Sequence, residues 1–148
     1  GGNGDFVTLF EPQALQIEQQ GYGHVVASIG ELGGVVPYTT YNARKSYIEK
    51  HEKEIAGFSK AIQRGLNYVR THSDEEIAET ITSYFPDTSI NDLVKIVKRY
   101  RESDSWFTTT EITEKDYKHI EEIMKSAGEL TTSAPYDKLV TTKFLYHE

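Results

Sequence analysis

Glu11 is the carboxylate of this chain best placed to meet a ligand. It follows the apolar run Phe6-Val7-Thr8-Leu9-Phe10 and precedes Pro12. In open α/β sheets, small molecules gather where a strand ends and a helix begins, because free amides there favour negative or hydrogen-bonded groups. That rule singles out Phe10, Glu11 and Pro12. The Glu11 carboxylate could turn toward a ligand amine or ring, or accept an amide of the helix that follows. Asp5, beside a glycine-rich turn, could make a polar contact at the mouth of a cleft or organise the turn through its own backbone. Tyr38 follows Gly33-Gly34 and Pro37, where a ring could stack on a flat ligand or pack into the core.

Other chemistry finds less footing. The histidines at 24, 51, 72, 119 and 147 never fall three or four residues apart, so no metal-ligand spacing is present. No Gly-x-Ser-x-Gly elbow occurs, and Ser46, Ser73 and Ser89 stand where helix caps are needed rather than where a nucleophile would be. The opening Gly1-Gly2-Asn3-Gly4 precedes an apolar run, whereas a nucleotide loop follows a strand and opens a helix. With no cysteine, thiolate metal sites, disulfides and cysteine nucleophiles are all excluded.

The elements that must position these groups divide by position in the chain. Phe6 to Phe10, His24 to Ile29 and Tyr38 to Tyr41 are aromatic and β-branched, which predicts strands. Between the first two, Pro12, Leu15, Ile17 and Gly21 predict a short helix, so the front of the chain reads as a βαβ unit. From Ser46 onward helical patterns dominate. Ile55, Phe58, Ile62, Leu66 and Val69 make one apolar stripe. Ile77, Ala78 and Ile81 make another, stopped by Phe85-Pro86-Asp87. Leu93, Ile96, Val97 and Tyr100 form a third, and Tyr117, Ile120, Ile123 and Ala127 a fourth that Gly128 ends. Ser46 with Glu49 and Ser73 with Glu76 have capping-box spacing, and Pro135 to Val140 predicts a last helical turn. The expected fold class is α/β, strands early and helices late.

At 148 residues the chain is long enough for one packed core. Its formal charge of −7 would repel a phosphate backbone, so nucleic acid is disfavoured as a partner. No apolar run approaches the length needed to span a bilayer, and no basic, apolar leader opens the sequence. Three strands are few for a parallel sheet, so the pattern reads as part of something larger.

Gly4-Asp5-Phe6-Val7-Thr8-Leu9-Phe10-Glu11-Pro12, then Val25 to Gly30, Val36 to Tyr41 and Lys45 to Lys50, resemble the second half of an ABC-transporter solute-binding protein. The branch is that of the sulfonate, nitrate, taurine and thiamine-pyrimidine-precursor binders. The resemblance covers nearly the whole chain, and the aromatic-Glu-Pro run is its most specific element. Glu52 departs from it, where many relatives carry proline.

The resemblance implies the C-terminal part of a two-lobe type II periplasmic-binding-protein fold. Residues 1–34 would end the second lobe, and residues 35–148 would supply the crossover and the helical return to the first. It also implies a fragment lacking the family's N-terminal half, and therefore weak affinity. Asp5, Phe10 and Glu11 become ligand-binding positions by their place in the motif, with Tyr38 added from the crossover. None would be catalytic, and neither metal nor cofactor is implied.

The expected partners are a small polar solute and the membrane subunits of an importer, in an extracytoplasmic location. A homodimer through exposed sheet edges is also expected. Two other readings stand beside this one. An enzyme of thiamine-pyrimidine synthesis would share the fold, but that family uses cysteine and histidine with pyridoxal phosphate on a lysine. A purely helical interaction module over Ser46 to Ala127 would leave the front of the chain without a role.

Overall fold

A computed structural model of the chain describes residues 4–103 and 105–146. Helices run in the order α1 (Gln13–Gln19), α2 (Ile29–Gly33), α3 (Lys45–Lys50), α4 (Glu52–Thr71), α5 (Asp74–Ile81), α6 (Ile90–Glu102), α7 (Glu114–Ser126) and α8 (Tyr136–Leu139), with a 3₁₀ turn at Thr82–Tyr84. Among the described residues there is no strand. The expected α/β architecture, and with it the type II binding-protein sheet, is therefore corrected to an all-helical one.

The three segments read as strands show why. Residues 6–9 make no backbone–backbone hydrogen bond among those described, and Phe6, Val7, Val26, Tyr38 and Tyr41 are each more than 70% exposed. Aromatic and β-branched residues favour extended backbone, but a strand exists only where a neighbour supplies a ladder. The second segment also ends earlier than expected. Ser28 accepts the Glu31 amide at 3.3 Å and its carbonyl accepts the Leu32 amide, so Ile29 and Gly30 open α2 rather than close a strand.

The helical expectations fare better. The box at Ser73 and Glu76 closes in both directions, at 2.8 and 3.2 Å. Ser89 accepts the Asp92 amide to start α6, and Thr113 accepts the Asp116 amide to start α7. The box expected at Ser46 and Glu49 does not form. α3 begins at Lys45 after Arg44, with no side-chain cap, so Ser46 already lies inside the helix. Gly21 and Gly128 take positive φ just beyond α1 and α7, where a side chain would be strained.

The chain divides into two compact units: one runs to Leu32 and resumes over Thr71–Trp106, and the other takes Gly33–Arg70 and the described residues from Phe107 on. The first unit holds the apolar core. α5 packs on α6, and Leu15, Ile77, Ala78, Leu93, Ile96 and Val97 are all buried. Each large side chain among them contributes about 1.5–3 kcal/mol.

The second unit is tied largely by polar groups. The buried Gln63 side chain on α4 donates to the Thr108 carbonyl at 2.8 Å and accepts the Thr110 amide at 3.0 Å, so its amide acts as an extra peptide group for that loop. Tyr117 donates to the Ala134 carbonyl and Tyr136 to the Ile112 carbonyl, their rings meeting edge to face at 5.7 Å. No described helix is long and apolar enough to cross a membrane.

Caps and non-caps separate in a simple measurement. Ser73→Ala and Ser89→Ala should each lower unfolding free energy by about 1 kcal/mol, while Ser46→Ala should stay within about 0.5 kcal/mol. Urea titrations of the three variants check this, and an equal loss at Ser46 would contradict the assignment of α3.

Candidate functional site

α6 carries Asp92, Lys95, Lys98, Arg99, Arg101 and Glu102. Its apolar stripe faces α5, which leaves Arg99 on the flank of that stripe, pointing toward the segment that opens α1. There the guanidinium is shared. One nitrogen donates to Glu11 Oε1 at 2.5 Å and the other to Glu18 Oε2 at 2.6 Å. The Glu11 side chain is only 5% exposed and its second oxygen accepts the Leu15 amide at 3.0 Å. The Glu11 amide in turn donates to the Tyr100 hydroxyl at 3.3 Å. The carboxylate thus holds the start of α1 and the flank of α6 at once, and the Glu11–Pro12 peptide bond between them is cis.

The same network shifts the protonation of its members. The Val25 amide and Arg99 hold the Glu18 carboxyl below the usual carboxylate range. Burial works against the Arg99 charge, but its hydrogen bonds to Glu18 and Glu11 outweigh it, so that group stays protonated above its ordinary value. At the start of α6 the Ser89 hydroxyl, Lys95 and Gln19 depress Asp92, the last bond linking α6 to the end of α1.

Beside this network lies a pocket of about 130 Å³. Leu93, Ile96 and Val97 form its floor, and Ile81, Phe85, Tyr100 and Trp106 its walls, with Glu11 and Pro12 at one side. The Tyr100 and Trp106 rings meet edge to face at 5.8 Å. Glu11 is the one charged lining residue, and its oxygens are already engaged. The pocket is therefore a place for an apolar group rather than a charged one. In the second unit a broader concavity runs along α7, lined by Val35, Glu114, Lys115, Asp116, Lys118, His119 and Glu122. Its charges alternate in sign, so it presents no single field to a ligand.

Of the four positions expected to bind ligand, only Glu11 lines the pocket. Asp5 lies in an exposed bend, and Phe10 is 64% exposed, its carbonyl accepting the Ala14 amide. Tyr38 belongs to the other unit and is 74% exposed. Tyr100 belongs to an apolar stripe legible in the sequence, whereas Arg99 carries no such signal. The stripe of α6 located the first, but nothing in the spacing of charges announces that Arg99 reaches back 88 residues to Glu11. The described histidines stay apart: His51 stacks on Tyr47, and His119 bonds the Val35 carbonyl. Among the described residues no His, Cys, Asp and Glu cluster could hold a metal. Gly1, Gly2, Asn3 and His147 lie outside the described residues.

The chain is 40% identical over 139 residues, 94% of its length, to a Bacillus subtilis (strain 168) protein described as "Putative binding protein YtlA". It spans 42% of that relative's length. No family model matches, and no solved structure matches.

Two measurements test the network. Arg99→Met leaves the Glu11 carboxylate buried without its cation, so stability should fall by on the order of 3 kcal/mol, read by urea unfolding. A loss no larger than that of a surface substitution would contradict the pairing. The pH dependence has a definite sign. Glu18 and Asp92 titrate lower when folded than their ordinary values of 4.5 and 3.8. Their contribution is therefore full above those values and is lost as pH falls through the depressed ones. The urea midpoint should decline below about pH 4.5, and less steeply in Glu18→Gln. Parallel declines would show that Glu18 is not held.

Proposed function

We propose that this chain belongs to the solute-binding component of an ABC import system, acting outside the cytoplasm on a small polar solute and delivering it to membrane subunits. One observation carries the reading: 40% identity across 94% of the chain to a protein described as a binding protein. The residues quoted from the aromatic-Glu-Pro run support the narrower assignment to an importer.

The role of the chain is binding, not catalysis. Asp5 and Phe10 supply a polar contact and a ring in the first unit, and Tyr38 supplies a ring in the second. Glu11 orients the segment that carries Phe10, its carboxylate fixed by Arg99 and the Leu15 amide. Exposed apolar side chains along residues 6–10 and 25–29 favour a working state in which they are covered. A second copy of the chain would provide such cover.

Native mass spectrometry of the purified chain, joined to amide NMR titrations with taurine, nitrate and an aminopyrimidine, tests the proposal. The expected result is a dimer or a small co-purified adduct, with one solute shifting amides near Phe10 or Tyr38. Phe10→Ala should weaken that response severalfold. A bare monomer that unfolds cooperatively and responds to none of the three would overturn it.

A further inference from the structure

The pocket on α6 beside Glu11 and Pro12 has properties the polar-solute reading does not use. Leu93 and Val97, each 1% exposed, line its floor, and the pocket is partly open to solvent. Its walls bring together three aromatic rings, Phe85, Tyr100 and Trp106. Its volume, about 130 Å³, approaches that of an engineered cavity of about 150 Å³ lined by aliphatic and aromatic residues that takes up benzene; that cavity is enclosed, whereas this pocket has a mouth. The sole charged wall residue offers nothing to a counter-charge, because Arg99 and the Leu15 amide occupy the Glu11 oxygens.

From this geometry we infer that the pocket is a second binding site, specific for a compact, neutral ring compound of about benzene size. Shape and ring edges would provide the recognition. Tyr100 and Trp106 already meet edge to face, and a third ring seated against them extends the same favourable arrangement. A charged ligand would lose its hydration and find no free partner. The inference does not use Asp5, Phe10 or Tyr38, the residues proposed to contact the solute.

The chain reports on this pocket directly, because its single tryptophan is Trp106. Bromobenzene, a heavy-atom quencher, should quench Trp106 emission saturably, and toluene should relieve the quench by competition. Benzoate, of similar shape but charged, should not compete. Ile81→Phe, which fills the pocket from its wall, should weaken the bromobenzene response at least tenfold while circular dichroism stays helical. If that variant does not fold, Ile96→Phe fills the same space from the floor, and the competition in the unaltered chain decides the matter by itself. A quench that rises linearly without saturation, that toluene does not relieve, or that persists in a folded pocket-filled variant overturns the inference. Competition by benzoate equal to that of toluene overturns the neutrality assigned to the ligand.

Discussion

The first unit depends on one guanidinium. Arg99 bridges Glu11 and Glu18, so the residues at both ends of a seven-residue helix are tied to the flank of α6. A lysine could not do this, since its point charge lacks the fork that meets two carboxylates from one position. The arrangement also removes a liability. Glu11 is nearly buried, and an unpaired carboxylate there would cost more than the helix it starts could repay. Arg99 remains one-third exposed, so part of its hydration survives and the pairing carries less desolvation than a fully interior one.

With that tie in place, α1 delivers Leu15 to the core, which α5 and α6 build with Ile77, Ala78, Leu93, Ile96 and Val97. The second unit is organised differently. Its buried side chains include Gln63 and Glu121, and its loops are fixed by the Gln63 amide and by two tyrosine hydroxyls on carbonyls. Polar ties of this kind contribute about 1 kcal/mol each when satisfied and cost more when broken. They specify a geometry without adding much apolar burial. The stripe on α4 fits this account, since Phe58 is 44% exposed and meets Tyr41 edge to face rather than sinking into a core.

What the sequence made legible follows the range of the interaction. Helices announce themselves within a few residues, so the stripe at Leu93, Ile96, Val97 and Tyr100, the box at Ser73 and the stop at Phe85-Pro86 could all be read directly. Ser46 misled because the capping spacing is necessary but not sufficient; the cap falls at Arg44, two residues earlier. The strand expectations failed for a different reason. Phe6 to Phe10 has the composition of a strand, but pairing is a property of two segments, and one segment's letters cannot supply the other. Arg99 was illegible on the same ground: its partners lie 81 and 88 residues away, beyond any local pattern. Glu11 was found because it ends an apolar run, and its capping role proved to be one half of what its carboxylate does.

The internal use of Glu11 determines what kind of recognition each part of the first unit can perform. A free carboxylate at the edge of the pocket would draw in water and cations and set polarity there. Once Arg99 and the Leu15 amide have satisfied it, the pocket walls are in effect apolar, and selectivity inside can come only from shape and ring geometry. Polar recognition must then be displaced to groups that keep their hydration, and in this unit Asp5 on its exposed bend is such a group. Phe10, one residue before the fixed carboxylate, inherits its position from the same tie. The ion pair therefore separates two kinds of surface, an apolar one within the pocket and a hydrated one outside it.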